Sequence, residues 1–188
     1  SAMVVGLWLM FRGAHGIQIH LRQMVPDLAY SKKLLRIGLP ASVENTGRAV
    51  SVNAVLVIVT LFSTPVVAAF GVGIRVFSMI FMPAIAIDRG VEAMTGQNIG
   101  AGRQDRVVAT NRFAAKTSFL LLSGLGVITF LFAPEIIRVF DDSPAVVAEG
   151  ATFLRWIAPT FGFVGILRAY SGGFRGAGKT LTAAAIAV

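Results

Sequence analysis

The chain of 188 residues has no cysteine, only two histidines, and charged side chains at just 14% of its positions. Each scarcity excludes something. Without cysteine there is no disulfide framework and no thiolate zinc site. The two histidines, His15 and His20, lie beside a loop and read as solvated or interfacial side chains rather than metal ligands. A soluble domain of ordinary composition carries about 25% charged residues, so this one lacks the means to cover itself with a water-facing surface. Acidic residues are scarcest, 9 against 17 Lys and Arg, for a net charge of +8. In a soluble chain such an excess raises nucleic-acid binding. Here the placement of the charges points elsewhere, and no nucleic-acid partner is expected.

What is abundant explains what is missing. Hydrophobic residues make up 55% of the chain, and its mean hydropathy is +0.76. One helix crossing the hydrocarbon layer of about 30 Å takes about 20 mostly apolar residues, which allows about four to six crossings here. The chain opens in an apolar run, SAMVVGLWLMF, with no basic segment before it of the kind a signal peptide carries. It closes inside another, TLTAAAIAV. Both ends read as cut, so a fragment of a longer membrane protein is expected.

Residues 1–11 read as the end of a transmembrane helix, 12–36 as a basic cytoplasmic linker, and 37–188 as a transmembrane bundle. Within the linker, LRQMVPDLAYSKKLLR spaces its apolar residues as a helix lying on a membrane surface does. The bundle is expected to hold four complete helices and the start of a fifth. The first enters near Pro40; Ser63-Thr64-Pro65 turns the chain into the second, which runs to Ala93 or beyond and ends in GQNIGAG. The third covers the charge-free run Thr117 to Pro134, and the fourth extends from about Ala145 to Tyr170. Pro83 and Pro159 are placed to bend their helices. Gly71, Gly73, Gly124, Gly126, Gly162 and Gly165 are expected to permit close helix contacts.

Short cytoplasmic loops carry the excess of Lys and Arg. Residues 12–36 hold five of them, 103–116 four and 168–179 three, whereas 62–74 holds none and 134–149 only Arg138 among four acids. Five successive connections thus alternate as crossing helices require. A multi-pass cell-membrane protein follows, with the lipid bilayer as its first partner.

The octapeptide GFRGAGKT, Gly173 to Thr180, matches the phosphate-binding signature G-x-x-x-x-G-K-[ST]. A working P-loop joins a strand to a helix and needs later acids for magnesium. Upstream lies a segment as long as a membrane helix, and downstream no acidic residue follows. The octapeptide is therefore read as a flexible basic turn, with Arg175 and Lys179 setting topology. A P-loop NTPase is left as the alternative from a different class, and a purely structural membrane subunit as another.

Four motifs in order, IGLP (Ile37 to Pro40), AAFGVGIRV (Ala68 to Val76), GQNIGAGR (Gly96 to Arg103) and FRGAGKT (Phe174 to Thr180), resemble those of the multidrug and toxic compound extrusion (MATE) transporters. The resemblance covers nearly the whole chain and places it in the second half of such a protein. It implies an all-α integral membrane fold, part of a six-helix bundle in a twelve-helix transporter whose N-terminal six-helix half lies outside this chain. It also implies export of small organic, often cationic, compounds in exchange for Na⁺ or H⁺ by alternating access, with no covalent chemistry and no cofactor beyond the coupling ion. A lipid-linked saccharide flippase of the same superfamily is the alternative; it calls for a larger cationic cavity, and GQNIGAGR speaks against it.

Ionisable side chains within membrane helices face a cavity or a partner, so each is a candidate site residue. Glu44 and Arg48 stand one turn apart on the first full helix, with Ser51 on the same face and Asn45 and Asn53 on a neighbouring one. They read either as a polar stripe toward a central cavity, with Glu44 for a coupling cation, or as an ion pair near the cytoplasmic end. The resemblance implies an acid one turn deeper, where Arg48 stands. Asp88 and Glu92 share a face of the second helix and repel each other unless a proton, Na⁺, Arg89 or Arg75 intervenes. Phenylalanines and methionines read mainly as packing or lipid-facing residues.

Overall fold

The computed structural model describes residues 27–187, apart from the side chains at 30, 33, 36, 37, 40, 41, 44, 45 and 187. The readings for residues 1–26, both histidines included, lie outside the described residues. Every regular element among those described is helical: α1 (Leu28–Val59), α2 (Thr64–Gly100), α3 (Gln104–Leu131), α4 (Ala133–Arg138), α5 (Pro144–Ile157), α6 (Phe161–Gly176) and α7 (Thr180–Ala187). The chain divides into two units, Ser1–Gly38 and Leu39–Val188.

Of the first unit, the described part is the opening of α1. The Asp27 carboxylate accepts the backbone N–H of Ala29 at 2.8 Å, which satisfies one of the donors a helix start leaves open. The helix thus begins inside the stretch read as a linker, ahead of the expected entry near Pro40, because a capping acid precedes a run of good helix formers.

In the second unit the turn after α1 falls at Ser63, and Pro65 sits in the first turn of α2, where its missing N–H removes no bond. The 37 residues of α2 continue through GQNIG, about 55 Å of helix and well beyond the hydrocarbon thickness. The basic segment after it is helical from Gln104. Asp105 in its first turn suits the positive end of the helix dipole.

Two helix ends are built alike. After α2, Gly102 takes φ 71°; the Arg103 N–H donates to the Asn98 carbonyl at 2.8 Å and the Gly102 N–H to that of Ile99 at 3.0 Å. After α6, Gly178 takes φ 74°, and Lys179 and Gly178 donate to the Phe174 and Arg175 carbonyls, each at 2.9 Å. Both are Schellman ends, which need a glycine in the left-handed region. The sequences Gly-Ala-Gly-Arg (100–103) and Gly-Ala-Gly-Lys (176–179) are therefore two copies of one helix stop. This corrects the reading of GFRGAGKT as a flexible turn: its first four residues are the last turn of α6. With helix on both sides, no strand feeds it, and the P-loop alternative falls. Gly178→Ala is expected to cost about 1–2 kcal/mol, the penalty of a left-handed L-residue. Thermal unfolding in detergent measures it; stabilisation of the wild type by a magnesium nucleotide would contradict this assignment.

Pro159 divides the fourth crossing. A 3-10 turn, Ala158–Thr160, separates α5 from α6, as expected where a proline removes a helix donor. Among the described residues, three helices are long and apolar enough to cross a membrane: Thr64–Gly100, Gln104–Leu131 and the broken Pro144–Gly176. The apolar part of α1 is Thr46–Val59, with Arg48 near its beginning.

The bundle is packed along its length in three layers. Val76, Ile137 and Leu154 fill the end near the α2 start. Phe81, Leu122 and Phe161 fill the middle, and Val91, Ala114 and Ala169 the opposite end. The last is lined by alanine because the helices approach most closely there.

Candidate functional site

The close approach between α2 and α6 follows from glycine. A Cβ placed on Gly172 would lie 2.6 Å from the Asp88 carbonyl oxygen, and one on Gly176 2.9 Å from the Thr95 Cβ. Gly172 and Gly176 stand four residues apart on one helix face, the small-xxx-small spacing that brings backbones together in membranes. Beside them Gly173 faces the Asn111 amide. That amide donates to the Thr95 hydroxyl at 3.2 Å and to the Val107 carbonyl at 2.8 Å, tying α3 to α2. Of the glycines expected to serve contacts, Gly73, Gly126, Gly162 and Gly165 do; nothing lies within 4 Å of a Cβ on Gly71 or Gly124.

This approach sets Arg175 against two acids of α2. Its Nη2 donates to both Asp88 oxygens, at 2.5 and 2.6 Å, and its Nε reaches Glu92 Oε2 at 3.5 Å. Arg89 completes the cluster with a bond of 3.0 Å to the same Glu92 oxygen. The Asp88 side chain is 3% exposed and that of Arg175 13%, so this is an interior pair. The repulsion foreseen between Asp88 and Glu92 is thus relieved chiefly by an arginine from another crossing. Arg75 takes no part. Asp88 lies about 36 Å along α2 from Thr64, which puts the cluster near the far edge of the hydrocarbon layer.

Of the polar set on α1, Arg48 and Ser51 line a cavity of about 480 Å³ between α1, α2, α5 and α6. Asn53 does not; its amide donates to the Ala49 carbonyl at 2.8 Å on its own helix. The side chains of Glu44 and Asn45 lie outside the described residues. Phe70, Phe77, Phe81 and Phe153 form much of the wall, where packing or lipid-facing roles were expected. Phe77 stacks on Phe81 at 4.1 Å between centroids, and both meet Phe161 edge-on. Arg48 and Arg168 also line an adjoining cavity of about 220 Å³ that reaches Ser171 and Arg175. The two cavities thus share Arg48 and Arg168, and Arg175 of the ion cluster lines the smaller one.

Sequence reasoning missed Arg168, Arg175 and the aromatic wall. The spacing of Phe70, Phe77 and Phe81, seven and then four residues, was a usable sign, since it sets them on one helix face. Nothing in the spacing of Arg175 announced its partners. Among the described residues, no group of three or more His, Asp or Glu side chains is arranged to hold a metal.

Long apolar helices joined by connections that alternate between basic and acidic or uncharged define a multi-pass integral membrane protein. The family to which it belongs is MatE, whose model matches residues 40–188. The chain is 31% identical over 157 residues to the probable multidrug resistance protein YpnP of Bacillus subtilis, covering 84% of this chain and 35% of that protein. To the probable multidrug resistance protein NorM of Thermotoga maritima it is 29% identical, covering 83% and 34%. It thus spans about a third of these relatives. Its fold is that of a solved MATE structure in complex with MaD3S, with a TM-score of 0.85 at 19% identity, over 98% of this chain and 41% of that one. A multidrug resistance MATE transporter in an outward-facing conformation matches similarly, with a TM-score of 0.84 at 20% identity over 98% and 42%.

Proposed function

We propose that this chain forms part of an antiporter that exports small amphipathic organic compounds, organic cations among them, by alternating access in exchange for Na⁺ or H⁺. The observation that carries this reading is the cavity of about 480 Å³ walled by phenylalanine. Its volume falls in the range of about 300–1,000 Å³ typical of small-molecule sites. Aromatic faces bury the apolar surface of such compounds and stack on their rings, while the charged side chains that line the cavity, Arg48 and Arg168, are both positive. The bend at Pro159 supplies a joint of the kind that alternating access uses. Asp88 and Glu92 are engaged by arginines; together with Glu44 they are the candidates in this chain for the coupling ion.

The test is efflux of a fluorescent organic cation from vesicles holding the full-length protein, under imposed Na⁺ or H⁺ gradients. Gradient-driven efflux is expected in the wild type and is expected to fall at least about tenfold in Glu44→Gln, since a lost carboxylate removes the charge on which coupling acts. Efflux that survives both Glu44→Gln and Asp88→Asn moves the coupling site outside this chain. Absence of efflux under any gradient overturns the proposal in favour of the flippase.

A further inference from the structure

On the other side of α6 from the aromatic cavity, α3 and α6 leave a groove whose two ends differ in chemistry. One part, of about 440 Å³, is lined by Arg112, Lys116, Phe119, Ile166 and Tyr170 among others. A second, of about 250 Å³, shares Arg112 and Tyr170 with it and adds Lys179. Three cations therefore face one continuous groove, and no acidic side chain lines either part. All three are exposed. Arg112 and Lys116 stand one turn apart on α3, and Lys179 is held at the mouth by the Schellman end of α6.

The depth is that of a lipid headgroup. Lys116 is the last charge on α3 before the apolar run that begins at Thr117, and Arg112 lies about 6 Å further out. Both belong to connections rich in Lys and Arg, which places them on the cytoplasmic side. Inward from the cations the neighbouring surface turns apolar: Leu120 is 68% exposed and Phe163 65%. A free phosphate ion would use only the cations. An apolar helix laid in the groove would bury three positive charges against no acid, a desolvation that nothing repays. Basic pockets between membrane helices on the cytoplasmic side suit anionic headgroups.

We propose that the groove between α3 and α6 is a binding site for an anionic glycerophospholipid, its phosphate held by Arg112, Lys116 and Lys179 and its acyl chains lying along Phe119 and Ile166. The Tyr170 ring forms the shared wall between headgroup and chain.

The experiment is native mass spectrometry of the full chain, delipidated in neutral detergent and offered phosphatidylglycerol and phosphatidylcholine at equal concentration. Wild type is expected to retain phosphatidylglycerol about tenfold over phosphatidylcholine, in keeping with several cations at an anionic headgroup. The double variant Arg112→Gln/Lys116→Gln is expected to retain the two lipids equally, whereas Lys116→Arg keeps the preference. All three side chains are exposed and unpacked, and monodisperse elution of each variant confirms that its fold is intact. Equal retention by the wild type overturns the proposal, whether another segment closes the groove or the cations serve topology alone. An undiminished preference in the double variant also overturns it.

Discussion

Replacing Arg175 by alanine is expected to destabilise the protein by about 3–5 kcal/mol, the cost of stripping one partner from a buried ion pair. The reason lies in what remains. Asp88 is 2% exposed, and its two oxygens take their bonds from one guanidinium nitrogen at 2.5 and 2.6 Å. Without Arg175 the carboxylate loses its hydrogen-bonded counter-charge and keeps only the longer-range attraction of Arg168 and Arg89. Arg89 does not substitute, since its bond goes to Glu92 and its side chain is 70% exposed. Arg175→Lys is expected to recover only part of the loss, because an ammonium does not reproduce the planar fork that spans Asp88 and Glu92. The double variant Asp88→Asn/Arg175→Gln, which removes both charges, is expected to be more stable than Arg175→Ala alone. Unfolding of the full-length protein in detergent, followed by heat or denaturant, gives these values. An Arg175→Ala variant within about 1 kcal/mol of wild type would sink the assignment, since that is the range of exposed surface pairs.

The second large effect concerns the contact that brings this pair together. Gly172→Leu and Gly176→Leu are each expected to cost at least the 1–3 kcal/mol typical of overpacking. Both are expected to loosen the crossing of α6 on α2. At Gly172 the obstacle is backbone: a Cβ would meet the Asp88 carbonyl oxygen at 2.6 Å. A carbonyl in a helix cannot rotate aside as a side chain can. Gly124 supplies the contrast, since a Cβ there meets nothing within 4 Å. Gly124→Ala is expected to be neutral or to stabilise by about 0.5–1 kcal/mol, the difference in helix propensity. The measurement is the midpoint of thermal unfolding for the three variants side by side. Equal midpoints for Gly172→Leu and Gly124→Ala would show that the α2–α6 approach is not tight. Loss at Gly172 should also weaken the Arg175 bond, so Gly172→Leu and Arg175→Ala should not be additive.

Much of the architecture was legible because it depends on local order along the chain. The turn at Ser63-Thr64-Pro65, the break at Pro159 and the alternation of basic and neutral connections are each set by a few neighbouring residues. So was the failure of GFRGAGKT as a P-loop, which lacked its strand and its acids. What replaced it was not legible: a Schellman end at Gly178 and a packing face at Gly172 and Gly176 depend on where α2 lies. The helical spacing of residues 21–36 was legible too, and α1 begins within them, at Leu28.

The candidate site divides in the same way. Composition and hydropathy by themselves determined a membrane protein of several crossings, and the ordered motifs its family, because burying apolar residues in lipid is a property of each segment alone. They also marked Arg48, Asp88 and Glu92 as charges requiring a partner. Which partner each found was decided only by the tertiary structure. Arg175 lies far from Asp88 in sequence, and glycines on one face of α6 bring the two helices close enough for a bond of 2.5 Å. The aromatic cavity is likewise a property of several helices together. A phenylalanine facing lipid and one facing a cavity have the same neighbours in sequence, and only the packing of the other helices distinguishes them.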